Sequence, residues 1–148
     1  MPEKKTMERV EQDRREGKSP STQAGEFVRE EMEHIRAGKH GAASAKQAIA
    51  IGLSKARRAG VKLPPPAKGT TSRATRKQAQ RDLKKAKSRQ APSKSRSRGA
   101  TEALRKQPRS AASHRALSRQ AHAVAKRRTK ADRSAAAKKA ARTRKKNR

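Results

Sequence analysis

The chain has 148 residues, with 43 Lys and Arg against 12 Asp and Glu and a formal net charge of +31 at pH 7. Phe27 is its single aromatic residue and only 30% of the chain is hydrophobic, much of it alanine, which is too little apolar area to order a conventional globular enzyme of this length. The absence of cysteine excludes disulfides, thiolate catalysis and cysteine zinc sites, and the excess charge makes a polyanion the expected partner.

The charge is unevenly divided. Residues 1–33 hold nine acids and seven bases, a balance of −2. Residues 34–148 hold 36 bases and three acids, and residues 67–148 alone carry 29 bases with the same three acids. A weakly acidic head followed by a strongly basic tail is the asymmetry of nucleic-acid-binding arms.

Residues 1–20 are polar. Met7 and Val10 are the only large apolar side chains after Met1, and Gly17 with Pro20 is expected to end any helix. Glu11 and Arg15 are spaced for an i,i+4 pair worth about 0.3 kcal/mol. The expectation is a frayed helix or disorder, with no apolar stretch that could serve as a secretory signal.

Residues 21–66 carry the pattern of a fold. Phe27, Val28, Met32 and Ile35 lie on one helical stripe, Ser21 or Thr22 can cap its start, and Gly38 follows its end. Ser44 through Gln47 reads as a capping box. Ala45, Ala48, Ile49, Gly52, Leu53 and Ala56 then recur at helical spacing, and Gly60-Val61 fits a Schellman end before Pro64-Pro65-Pro66. Two helices are predicted, over 26–37 and 45–59, packed as an antiparallel hairpin. Glu26, Glu30 and Glu31 suit the start of the first helix dipole, and Arg57 and Arg58 the end of the second. Antiparallel packing would bring these two sets together. The hairpin's apolar burial falls short of its ordering cost. It is therefore expected to be marginal, to form a homodimer or to dock on a protein partner, with Ala45, Ala48, Gly52 and Ala56 as a face for close approach.

Residues 67–148 consist almost wholly of Lys, Arg, Ala, Ser, Thr and Gln, without a strict period. Pro92, Gly99 and Pro108 divide them into blocks near 71–91, 100–107 and 110–146. The fold class expected is thus mostly α and disordered: a short helical hairpin followed by a long basic, low-complexity tail, disordered or helical on binding. Basic clusters supply the candidate nucleic-acid contacts: Lys84, Lys85 and Lys87; Arg96 and Arg98; Lys126, Arg127 and Arg128; Lys138, Lys139, Arg142, Arg144, Lys145 and Lys146. Ten phosphate contacts would give a log K against log salt slope of about −9. Such contacts carry no sequence information, and the lack of aromatics argues against modules that stack bases.

Signals of catalysis, metal or cofactor are missing. His34 and His40 flank the turn, His114 and His122 lie in the tail, and none has HxxxH or HExxH spacing, so all four read as incidental polar residues. Glu30, Glu31 and Glu33 read as acids on an exposed helix. Gly38-Lys39-His40-Gly41 lacks the phosphate-loop arrangement, and its glycines read as turn residues. The longest apolar run, Ala48–Leu53, is far short of the roughly 20 residues that span a bilayer. With Leu83, Leu104 and Leu117 alone in the tail, no membrane-seeking helix is expected.

The segment from Gly25 to Pro66, above all KQAIAIGLSKAR over Lys46–Arg57, resembles a family of small uncharacterised bacterial proteins that are sometimes labelled DNA-binding. That resemblance implies a bacterial cytoplasmic origin and supplies no site residues. The tail resembles in composition the Lys/Ala-rich arms of histone H1-like bacterial proteins. The expected function is non-enzymatic, largely non-specific DNA binding at the nucleoid. The alternatives are an RNA- or ribosome-associated protein, or an adaptor whose hairpin over 26–59 binds a protein.

Overall fold

The computed structural model describes residues 1–88, 91 and 93–147. Seven α-helices appear among them: α1 (Lys4–Arg15), α2 (Pro20–Arg36), α3 (Ala45–Arg58), α4 (Arg73–Ser88), α5 (Lys94–Arg105), α6 (His114–Arg127) and α7 (Lys130–Lys146). A short 3₁₀ turn, Arg109–Ala112, precedes α6.

The helix boundaries follow from local chemistry. Gly17, at φ +68°, ends α1 as expected. Pro20, however, begins a helix. It occupies N1, where its missing N–H has no partner to lose, and Ser19 is the N-cap, accepting from the Thr22 N–H at 3.3 Å. At the far end of α2, Lys39 N–H donates to the His34 carbonyl and Gly38 N–H to that of Ile35, with Gly38 at φ +75°. This is a Schellman turn. The end of α3 repeats it, with Val61 N–H bonded to Ala56 and Gly60 at φ +97°. The Ser44 hydroxyl accepts from Gln47 N–H at 3.1 Å, while the Gln47 side chain reaches the Ala43 N–H at 2.7 Å, one residue beyond the expected target.

α2 and α3 run side by side in opposite directions and form the centre. Val28 meets Gly52 so closely that a Cβ on Gly52 would lie 2.7 Å from the Val28 Cα. One apolar cluster joins Val10 of α1 to Ala24, Phe27, Ala56 and Val61, flanked by Leu53 and Leu63. A second joins Met32, Ile35, Ala42 and Ala48 to Ala111 and Ala112, flanked by Val28, Ile49 and Leu117.

The expected hairpin with a long disordered tail is overturned: the chain is a compact helical fold, and helices run through residues 67–148. Much of the tail covers the hairpin. Gly41 N–H donates to the Leu104 carbonyl at 2.9 Å and Ala42 N–H to that of Pro108 at 3.1 Å, while Arg36 Nε reaches the Ala112 carbonyl at 2.9 Å. Ala111 and Ala112 are buried there. On the other side, α4 docks on α3 through Asp82, a fully buried carboxylate. It accepts from Ser54 Oγ at 2.6 Å, Arg58 Nε at 2.8 Å and Gln78 Nε2 at 3.1 Å. The apolar area missing from the hairpin is thus supplied within the chain, and the small-residue face of α3 is occupied by α2.

Three further expectations change. Residues 4–15 form a regular helix on α2 with Thr6, Val10 and Asp13 buried, anchored by Arg9 to Glu26 at 3.1 Å; the Glu11–Arg15 pair is present at 3.7 Å. Gly99 lies inside α5 and divides nothing, whereas Thr129 starts α7 in mid-block; Pro92 lies outside the described residues. Among the described residues α5 and α7 pack against no other helix.

Candidate nucleic-acid interface

All fourteen basic residues singled out in the tail are exposed. Lys84, Lys85 and Lys87 sit in the last turns of α4, Arg96 and Arg98 on α5, and Lys126, Arg127 and Arg128 where α6 gives way to α7. The remaining six lie on α7, where Arg142 stands four residues from Lys138, three from Lys145 and four from Lys146, so that these side chains share a face. The structure therefore spreads the candidates over four helices and does not gather them in one cleft.

The electrostatic setting of these bases is uniform. Among the described residues, ion pairs involve bases up to Arg58 and none beyond it. Of the tail's three acids, Asp82 and Asp132 are committed to local structure. Asp82 holds α4 on α3, and Asp132 closes a capping box with Thr129 at the start of α7. The Thr129 hydroxyl, then its backbone N–H, hold the Asp132 carboxyl below its ordinary value.

α6 adds a site that the sequence did not reveal. By docking beside the start of α3 it brings exposed Arg115 and Arg119 into one shallow groove with Lys46 and Ser44. These bases come from segments about 70 residues apart, and no spacing rule links them. Arg57 and Arg58, by contrast, are engaged within the fold. Arg57 is buried and donates to the carbonyls of Leu63 and Pro64, and burial lowers its pKa against the opposing pull of Asp82. Arg58 is the ligand of Asp82. Neither meets Glu26, Glu30 or Glu31 as the hairpin alone suggested.

A second polar constellation lies under the α2–α3 turn. Glu30 and Glu31 are 1% and 0% exposed, against the expectation of solvated acids. Glu30 accepts the backbone N–H of Glu3 at 3.0 Å, and Glu31 accepts from Lys55 Nζ at 2.5 Å. His40 Nε2 lies 3.2 Å from the other Glu31 oxygen, and His34 Nε2 lies 2.7 Å from Glu3 Oε1. Hydrogen bonds from Lys39 and then His34 hold the Glu3 carboxyl down at about 2. The two histidines are therefore neighbours in one cluster, with ring centres 6.3 Å apart. The Glu31-to-His34 spacing of three was legible in the sequence; the return of His40 depends on the turn at Gly38.

Residues 4–68, from α1 through α3 and the prolines after it, match the model of a family of unknown function (DUF6496). No curated protein and no solved structure matches the chain. Among the described residues no helix is long and apolar enough to cross a membrane.

Proposed function

We propose that the chain is a non-enzymatic, largely sequence-non-specific nucleic-acid-binding protein, with duplex DNA as its ligand. The observation that carries this reading is the state of the bases beyond Arg58: exposed at the candidate positions and without acid partners among the described residues. α7 is the extreme case. Its 17 residues bury no side chain, and its one acid is used in its own cap. At about 1.5 Å per residue it is a cationic rod roughly 25 Å long, of a width that a major groove admits. Like charges three and four apart oppose the helix by a few tenths of a kcal/mol each, and phosphates alongside would remove that repulsion.

α4, α5 and the Lys46–Arg115–Arg119 groove would add further phosphate contacts around the core. Backbone neutralisation of this kind fixes affinity and leaves base sequence unread. The likeness of Lys46–Arg57 to proteins labelled DNA-binding, and of the tail to histone H1-like arms, supports the same reading and a place at the nucleoid.

The test is a salt titration of duplex binding by the full chain and by a chain ending at Arg128. Residues 129–148 hold nine bases, so their removal is expected to reduce the log–log slope by several units, up to about 8 if every one meets a phosphate. An unchanged slope would remove α7 from the interface. In competition, a tenfold or greater preference for RNA over duplex DNA would overturn the choice of ligand.

A further inference from the structure

Glu31, His34 and His40 play no part in the nucleic-acid reading, yet one potential ligand atom from each lies within 4.8 Å of the other two. Glu31 and His34 project from the same face of α2, three residues apart. The Schellman turn at Gly38 then carries His40 back over them.

The details of the cluster favour a cation. Glu31 Oε1 is fully buried and has no hydrogen-bond partner, although its twin Oε2 is held by Lys55. A buried carboxylate oxygen without a donor is costly, and a coordinated metal removes the deficit. The 3.2 Å between His40 Nε2 and Glu31 Oε1 is close to the edge of a tetrahedron with bonds near 2.0 Å, about 3.3 Å. His40 Nδ1 lies 3.0 Å from the Gly41 carbonyl, the outer contact that fixes a ligating imidazole with Nε2 toward the metal. Glu3 stands at His34 with a second carboxylate. Glu3, Glu30 and Glu31 face Lys39 and Lys55 here, so carboxylates outnumber ammonium groups by three to two in the ion pairs of this corner.

We propose that Glu31, His34 and His40 form a binding site for one divalent transition-metal ion, of the Zn(II) type. Two imidazoles and one carboxylate suit Zn(II) and Co(II) and disfavour Ca(II) and Mg(II), which take all-oxygen sites. The ion ties α2 to the loop whose next residues, Gly41 and Ala42, hold the segment around 104–108, so its effect is on the fold. It does not depend on nucleic-acid binding.

The test uses the full chain, stripped with chelator and free of nucleic acid. Zn(II) is followed by calorimetry and melting temperature, Co(II) by visible absorption. One Zn(II) per chain, a raised melting temperature and the intense d–d bands of four-coordinate Co(II) are expected. H34Q and H40Q should each weaken Zn(II) binding at least tenfold, while the double variant H114Q/H122Q should bind as the parent does. E31Q should lose binding too, and because Glu31 is buried, its circular dichroism is recorded; if it unfolds, H40Q decides. Zn(II) binding weaker than about 10 μM, or binding that survives H34Q and H40Q, would overturn the proposal.

Discussion

Gly52 has no room for a methyl group, because a Cβ there would lie 2.7 Å from the Val28 backbone and 3.0 Å from its side chain. Gly25, one helix away, has open space at the same position. Gly52→Ala is therefore expected to destabilise the protein by about 1–3 kcal/mol through forced separation of α2 and α3. Gly25→Ala is expected to stabilise it by about 0.5–1 kcal/mol through helix propensity. Urea unfolding of the two variants checks the pair, and similar signs would contradict the close approach. Gly41 belongs with Gly52: a Cβ there would collide with the Gln107 carbonyl oxygen, so this glycine serves a long-range contact, whereas the turn itself belongs to Gly38. Sequence spacing revealed Gly52 as part of a small-residue face but not which surface it meets. It concealed Gly41 altogether, because the partner lies 66 residues away. The burial of Glu30 and Glu31, and of Asp82, which no sequence pattern singles out, escapes sequence reasoning for a different reason: a buried carboxylate depends on donors such as Lys55, Ser54 and Arg58 that only tertiary structure assembles.

At the scale of elements, the caps were the most legible features. Gly38, Gly60 and Ser44 act within four or five residues of chain, so their chemistry is complete in the sequence. Pro20 shows the limit: after Gly17 it reads as a stop, yet with Ser19 before it the same residue is a start. α1 is expected only as a frayed helix or disorder because its buried face includes Thr6 and Asp13 beside Val10, a pattern without apolar periodicity. α7 was missed as a separate helix because its punctuation is the Thr129–Asp132 capping box inside a uniform basic run. That box has a pH signature. Thr129 depresses the Asp132 pKa below its ordinary 3.8. A carboxylate depressed in this way contributes above its unfolded value and loses its contribution as pH falls through the lower folded one. The first turn of α7 is thus expected to stay capped down to about pH 3.8 and to fray below it. NMR titration of the Asp132 side chain and its neighbouring amides checks this, and a midpoint at or above 3.8 would contradict it.

For the molecule as a whole, the charge asymmetry was correct arithmetic with an incomplete spatial meaning. The basic segment is expected from sequence to be disordered or helical only on binding, yet its Ala111, Ala112 and Leu117 complete the second apolar cluster. Alanines carry too little area to announce a core in sequence, and they matter here because the backbone comes close. Truncation separates the two roles of the segment. A chain ending at residue 103 is expected to lose about 2–3 kcal/mol of stability with that cover. A chain ending at Arg128 should unfold as the full chain does, since among the described residues α7 packs against no other helix. Equal stability of the two truncations in thermal melts would refute the division. The backbone bonds from Gly41 to Leu104 and from Ala42 to Pro108 also set an order of events during synthesis. α2 and α3 leave the ribosome more than 50 residues ahead of the segment that seals Met32, Ile35 and Ala48, a wait of several seconds at about 5–20 residues per second. For that interval the nascent chain presents an unsealed apolar facet, and its amino-terminal half completes folding only when its carboxyl-terminal half arrives.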